Sequence, residues 1–135
     1  MWIDPEQPGR IPYIIPITSG KAESMNRPEC SGKENEGPIP KGSYTVDVTQ
    51  LSNPSKIRDL FNMRYGDWGD WNVPLIPDPE TDTYGRRNFY LHGGLFPGSS
   101  GCVDFGGGIF GNSITDQLLN DMLADTSRKI KVIVR

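Results

Sequence analysis

The residues best suited to chemistry lie within 85–105, where the single histidine, His92, is followed ten positions later by a cysteine, Cys102. The residues between them are rich in glycine, so a turn can bring the two side chains together. An imidazole within hydrogen-bond reach of a thiol removes its proton, and the thiolate is the nucleophile. The backbone N–H groups of Gly101 and Cys102 can approach a carbonyl and stabilise an oxyanion. The pattern predicts a cysteine nucleophile with a histidine base.

The neighbours of this pair favour catalysis over a structural role. A lone cysteine is most often an inert apolar side chain, and a lone histidine is most often structural. Here Gly93 and Gly94 follow the histidine, and Ser99, Ser100 and Gly101 precede the cysteine. An inert buried cysteine does not need glycine in front of it.

Short strands are predicted to position these residues, because apolar and polar residues alternate between glycine- and proline-rich turns. Pro12 and Pro16 interrupt the first apolar run, which is typical of an edge strand because proline cannot donate to a ladder. The predicted strands cover residues 11–17, 43–49, 88–91 and 129–135.

The intervening segments are predicted as loops at residues 20–42, 63–87 and 92–112. The last loop contains a brief apolar island at residues 102–105. The second loop carries Trp68 and Trp71, which we expect to pin it onto the core, with a place beside a substrate groove as the alternative.

Two short helices complete the prediction. Asn53 followed by Pro54 is a good helix start, and Ser113 with Asp116 resembles a capping box. An apolar stripe follows the second start, at Ile114, Leu118, Leu119, Met122 and Leu123. The expected fold is therefore mostly β (α+β), with one or two short helices.

Length and charge exclude several classes of protein. A chain of 135 residues forms one domain, residues 1–135, and a net charge of −3 with scattered basic residues does not favour nucleic acid or an anionic membrane. The sequence has no stretch typical of a transmembrane helix or a secretory signal. Two cysteines and one histidine predict neither a disulfide scaffold nor a zinc site, so we expect no metal and no cofactor.

Two segments resemble a known family. Residues 92–94 and 99–104 resemble the His … Ser/Thr-x-Gly-Cys signature of L,D-transpeptidase (YkuD-like) catalytic domains. Residues 37–46 resemble the Gly-Pro-hydrophobic-Pro-x-Gly-x-Tyr turn and strand of the same family. The likeness covers residues 18–49 and 85–106 and is closest to the short branch that includes type VI secretion effectors acting on peptidoglycan.

The resemblance implies a single β-sandwich or barrel domain in which Cys102 is the nucleophile and His92 the general base. It implies cleavage of the diaminopimelate–D-Ala bond in tetrapeptide stems through an acyl-enzyme, with water giving L,D-carboxypeptidase activity and an amine giving exchange or cross-linking. Action in the bacterial periplasm without a Sec signal implies delivery by a machine such as the type VI system. We expect a monomeric antibacterial toxin with a cognate immunity protein as partner.

The chain departs from the family pattern in the gap between the histidine and the cysteine, which is longer in the larger family, and at residues next to the cysteine. Ser100 stands where a second histidine is usual, and Phe105 and Gly106 stand where an arginine often follows the cysteine. Arg86 and Arg87 are therefore the nearest candidates for the substrate carboxylate. Gly93, Gly94 and Ser100 complete the predicted substrate-binding set, Ser99 is expected to orient the histidine or line the site, and Asp104 is expected to make a structural hydrogen bond.

Two alternatives stay open at this point. A papain-like peptidoglycan amidase would need Cys30 as the nucleophile, because in that family the cysteine precedes the histidine in the chain. A non-catalytic wall-binding module would use Trp68 and Trp71 to stack on sugars and would leave Cys102 inert.

Overall fold

The computed structural model describes residues 1–52, 71–94, 98–107 and 112–135, and all statements below concern these residues. Three single turns of 3₁₀ helix lie at Ala22–Ser24, Pro28–Cys30 and Val48–Gln50. The other elements are β1 (Trp2–Ile3), β2 (Tyr13–Ile14), β3 (Thr18–Gly20), β4 (Gly42–Asp47), β5 (Asn72–Pro77), β6 (Phe89–Gly94), β7 (Ser99–Gly107), α1 (Ser113–Ala124) and β8 (Lys129–Val134). The mostly-β (α+β) prediction is confirmed.

Six strands form one mixed sheet in the order β3-β7-β6-β5-β4-β8, and β1 pairs with β2 in a separate two-stranded sheet. Every pair is antiparallel except β6 with β7, which run parallel. The parallel pair lies between β3 and β5 in this order, and it carries the predicted catalytic residues.

The core is built by strand residues that alternate inward and by one face of α1, where Leu118, Leu119 and Met122 are buried. The buried core residues on the strands are Tyr44, Val46, Val73, Leu75, Phe89, Leu91, Val103, Phe105 and Val132. Trp71 is 1% exposed, and its ring centroid lies 5.8 Å from that of Phe105. Trp71 therefore packs in the core, while Trp68 and the predicted helix start at Asn53 lie outside the described residues.

The predicted loop over 63–87 is wrong at residues 72–77, which form β5 between β4 and β6. Val73 and Leu75 alternate inward, but Pro74 and Pro77 argue against an interior strand. The structure tolerates Pro74 because β4 pairs only with residues 75–77, so that proline has no ladder partner in β4.

The predicted loop over 92–112 is also wrong in large part. β6 continues to Gly94, and β7 runs for nine residues from Ser99. Glycine weakens strand propensity, but β7 pairs with β3 on one side and with β6 on the other, and this pairing keeps it extended.

The start of α1 lies one residue before the predicted capping box. The Asn112 side chain accepts hydrogen bonds from the backbone N–H groups of Ile114 and Thr115, at 2.9 and 3.0 Å. The Thr115 hydroxyl accepts in return from the Asn112 N–H at 2.7 Å. Because Asn112 and not Ser113 is the cap, the box closes through Thr115 and not Asp116.

We expect Asn112→Ala to lower the free energy of unfolding by about 1 kcal/mol, because two N–H groups of α1 lose their acceptor. Urea unfolding at neutral pH measures the change. Asn120→Ala on the exposed face of the same helix is the matched control, and it should be neutral or slightly stabilising because alanine favours helix. Equal loss in both variants would contradict the capping role.

Candidate active site

The parallel pairing of β6 with β7 sets the position of the predicted catalytic residues. Leu91 is opposite Val103, and His92 is opposite Asp104. Cys102 directly precedes Val103, so it lies beside β6, one position before the Leu91–Val103 pair. Gly101 has a φ of +81°, a left-handed conformation that glycine adopts without strain and that bends the start of β7.

The His92 ring is 3% exposed, and its hydrogen bonds define its tautomer. Nδ1 lies 2.6 Å from the Gly93 carbonyl oxygen, which can only accept, so Nδ1 carries the proton. In the neutral ring Nε2 is then an acceptor, and it lies 3.3 Å from the Ser99 hydroxyl oxygen. The ring thus presents a basic nitrogen towards Ser99.

The Cys102 thiol is 7% exposed, and its Sγ lies 3.8 Å from the Asn88 carbonyl oxygen. Burial raises the pKa of this thiol, because the thiolate loses hydration. Hydrogen bonds from the Tyr90 N–H and the Ser99 hydroxyl, and the charge of Arg86, pull the pKa back down. The thiol therefore rests protonated beside groups that stabilise the thiolate.

Ser99 connects the two predicted catalytic residues. Its hydroxyl oxygen lies 3.3 Å from His92 Nε2, and the same hydroxyl lowers the pKa of the Cys102 thiol. A serine hydroxyl has one proton to donate and lone pairs to accept another, so it can pass a proton between two neighbours. The structure therefore places Ser99 where it can act on both His92 and Cys102.

Gly101 is required here by space as well as by φ. A Cβ on Gly101 would lie 2.4 Å from Arg86 Nη2 and 2.9 Å from Cε1 of Phe89. The residue before the predicted nucleophile therefore rests directly on the Arg86 and Phe89 side chains, a contact that residue spacing alone could not reveal.

The two predicted arginines differ in environment. Arg86 donates through Nη1 to the carbonyls of Ser31 and Pro38 and through Nη2 to that of Gly37. Arg87 is exposed, and no hydrogen bond or ion pair joins its side chain to the described part of the chain. The structure thus separates a bound guanidinium from one that faces solvent.

The other predicted residues border the same region. Gly93 and Gly94 are buried in β6, and the Ser100 hydroxyl donates to the Asn35 carbonyl. Asp104 is 2% exposed and accepts a hydrogen bond from the Gly106 N–H at 2.7 Å, a structural bond of the expected kind.

Sequence reasoning missed the contributions of Asn88 and Tyr90, because both act through the main chain. Asn88 has a φ of +64°, a conformation that asparagine adopts more readily than most residues, and its carbonyl lies near the thiol. The only available signal was an asparagine at the start of a predicted strand.

Cys30 is buried in the 3₁₀ turn Pro28–Cys30, and both cysteines are free thiols. The structure therefore holds Cys102 in the reduced form that a nucleophile needs.

A family model described as the Tlde1 domain matches residues 16–129. This chain belongs to the Tlde1 domain family. The matched range contains both segments that resemble L,D-transpeptidases, and the family is one of type VI secretion effectors of the L,D-transpeptidase kind, linked to peptidoglycan. The type VI branch of the resemblance is thereby confirmed at the level of the family.

None of the curated proteins matches the chain. In the part of this Tlde1 domain that the structure describes, no helix combines the length and the apolar character needed to cross a membrane.

We expect Ser99→Ala to slow alkylation of Cys102 by iodoacetamide about three- to tenfold at pH 7. Loss of the hydroxyl raises the thiol pKa, and below the pKa each unit of increase costs about tenfold in thiolate. The rate is measured by intact mass over a range of pH in a Cys30→Ser background, so that Cys102 is the thiol that reacts. Ser100→Ala is the control for thiol reactivity, because its hydroxyl points to Asn35; an equal effect of both would contradict the role of Ser99.

Proposed function

We propose that this Tlde1 domain is a cysteine-dependent peptidoglycan enzyme that cleaves the diaminopimelate–D-Ala bond of tetrapeptide stems. The observation that carries the proposal is that the parallel pairing of β6 with β7 brings three side chains together: the Ser99 hydroxyl lies 3.3 Å from His92 Nε2 and also lowers the pKa of the Cys102 thiol. The family match supports the substrate class, since the family is linked to peptidoglycan.

The first step makes the thiolate. The Cys102 proton passes to Ser99 Oγ while the Ser99 hydroxyl proton passes to His92 Nε2, so the products are a thiolate and an imidazolium. The Ser99 hydroxyl then donates to the sulfur. The Gly93 carbonyl, already 2.6 Å from Nδ1, accepts a stronger hydrogen bond from the charged ring and stabilises it.

In the second step the thiolate attacks the carbonyl carbon of the diaminopimelate–D-Ala bond. The oxyanion accepts hydrogen bonds from backbone N–H groups, for which Gly101 and Cys102 are our candidates. The tetrahedral intermediate collapses as the His92 imidazolium gives its Nε2 proton to the leaving D-Ala amine. A thioester to Cys102 remains, and neutral His92 is restored.

The third step releases the acyl group. His92 removes a proton from water or from an acceptor amine, which attacks the thioester, and the proton returns to the Cys102 sulfur as the thioester breaks. Water gives L,D-carboxypeptidase activity, and an amine gives exchange or cross-linking. The same three residues can therefore give either product.

We propose that Arg87 binds the substrate carboxylate. Its guanidinium is exposed, and the next residue, Asn88, has its carbonyl oxygen 3.8 Å from the Cys102 sulfur. An arginine recognises a carboxylate through a planar pair of N–H groups. Gly93, Gly94 and Ser100 remain our candidates for the walls of the stem-peptide site.

The family supports action in the periplasm of a target cell after type VI delivery. The YkuD-like placement of the domain, the antibacterial effect, the cognate immunity protein and the monomeric state remain predictions.

The two alternatives lack comparable support. The hydrogen bonds of the histidine lead to Ser99 and from there to Cys102, whereas the Cys30 of the papain-like alternative lies in a 3₁₀ turn. For a wall-binding module, Trp71 would have to present its ring to a sugar, and it is buried in the core.

We expect Cys102→Ala and His92→Ala each to reduce release of D-Ala from purified muropeptides by about 10³-fold or more, because nucleophile and base act as one unit. The double variant should be no worse than either single variant. Products are identified by mass, and circular dichroism verifies folding.

Cys30→Ser is the matched control and should keep its activity. A dead Cys30→Ser with an active Cys102→Ser would reverse the assignment and reopen the papain-like alternative. Full activity in Cys102→Ala would contradict the mechanism.

A further inference from the structure

Arg86 links the two motifs that carry the family resemblance, residues 37–46 and residues 92–104. Its guanidinium donates to the carbonyls of Gly37 and Pro38, both at 2.8 Å, and to that of Ser31, which precedes the first motif. Its Nη2 also contacts Gly101, the residue before Cys102 in the second motif, because a Cβ on Gly101 would lie only 2.4 Å from it. One side chain therefore joins the proline turn to the cysteine.

The carbonyls around Arg86 are fixed in place by close packing. A Cβ on Gly37 would lie 2.1 Å from the Cys30 carbonyl oxygen, and the Gly37 N–H donates to the Lys33 carbonyl at 2.9 Å. The turn therefore has no room to shift its carbonyls. A planar guanidinium with N–H groups at fixed angles fits several such acceptors at once.

The other face of the guanidinium rests on an aromatic ring. The Arg86 Cζ lies 5.5 Å from the centroid of Phe89, within cation–π range. Phe89 packs edge-to-face against Tyr44 at 5.9 Å, and the Tyr44 hydroxyl donates to the Pro40 carbonyl at 2.8 Å. The tyrosine of the first motif thus supports the ring on which the arginine and Gly101 rest.

We propose that Arg86 is a positioning residue, which fixes the backbone at Gly101 and places a positive charge beside the Cys102 sulfur. This inference rests on the proposed function only in taking Cys102 as the nucleophile. Both N–H groups of Nη1 and one of Nη2 are already donated to carbonyls, so Arg86 has no end-on pair of donors left for a substrate carboxylate.

The charge of Arg86 changes the pKa of the Cys102 thiol in a known direction. The guanidinium of Arg86 lowers the pKa of the Cys102 thiol, against the larger increase that burial causes. Removing the charge raises the pKa, so at a fixed pH below it the thiolate fraction falls. Above both pKa values the two proteins have the same thiolate fraction, so their rates converge.

The test is the pH dependence of Cys102 alkylation by iodoacetamide, a neutral reagent that needs no substrate site, in the Cys30→Ser background. In Arg86→Gln we expect the midpoint to rise by about half to one pH unit and the rate at pH 7 to fall about three- to tenfold. With muropeptides, kcat should fall while KM changes little. Arg128→Gln, an exposed arginine before β8, is the matched control and should behave as the parent protein.

Arg86→Lys separates the charge from the planar group, and it decides the question if the glutamine variant does not fold. Lysine keeps the charge but cannot serve three fixed carbonyls in one plane, so its midpoint should lie between those of the parent and Arg86→Gln. A parental alkylation profile in a folded Arg86 variant, with an increase in KM alone, would overturn the proposal and make Arg86 a substrate anchor. A shifted profile in a protein whose parent releases no D-Ala would contradict the proposed function and leave the positioning role standing.

Discussion

The parallel pairing of β6 with β7 is the constraint on which the site depends. Two neighbouring parallel strands need a crossover of about a dozen residues, and here His92 and Asp104 are opposite each other only twelve positions apart. The start of β7 must serve as part of that return, and it does so by pairing with β3, where Gly20 is opposite Ser99. By the parallel register Cys102 lies beside the first half of β6, with its sulfur 3.8 Å from the Asn88 carbonyl oxygen, and the Ser99 hydroxyl lies 3.3 Å from His92 Nε2.

The electrostatics of the site favour the protonated form of Cys102. Burial raises the pKa of this thiol more than any single neighbour lowers it, so the sulfur rests as a thiol. The groups that stabilise the thiolate are an N–H, a hydroxyl and a fixed guanidinium, which need little rearrangement when charge develops.

The side-chain chemistry could be predicted from the sequence, because the types and the spacing of histidine, cysteine and serine indicate which reactions they can perform. The sequence also allowed β4 and β8 to be predicted from the alternation of their apolar residues. Strand β5 could not be predicted from the sequence. Pro74 and Pro77 argue against a strand there, and the sequence does not show which strands would pair with it. Nor could it assign the carbonyl of Asn88 or the N–H of Tyr90, because every residue has these groups and only the fold selects which ones meet the thiol. Nor could it assign the contacts of Arg86, since its acceptors are main-chain atoms.

Because Arg86 binds carbonyl oxygens, its contacts do not depend on which side chains the surrounding loop displays. Ser31 could be exchanged for another residue of similar backbone geometry without losing its bond to the guanidinium. Exposed side chains within residues 21–36 can therefore be replaced without loss of the Ser31 bond to Arg86, provided that the backbone keeps its path.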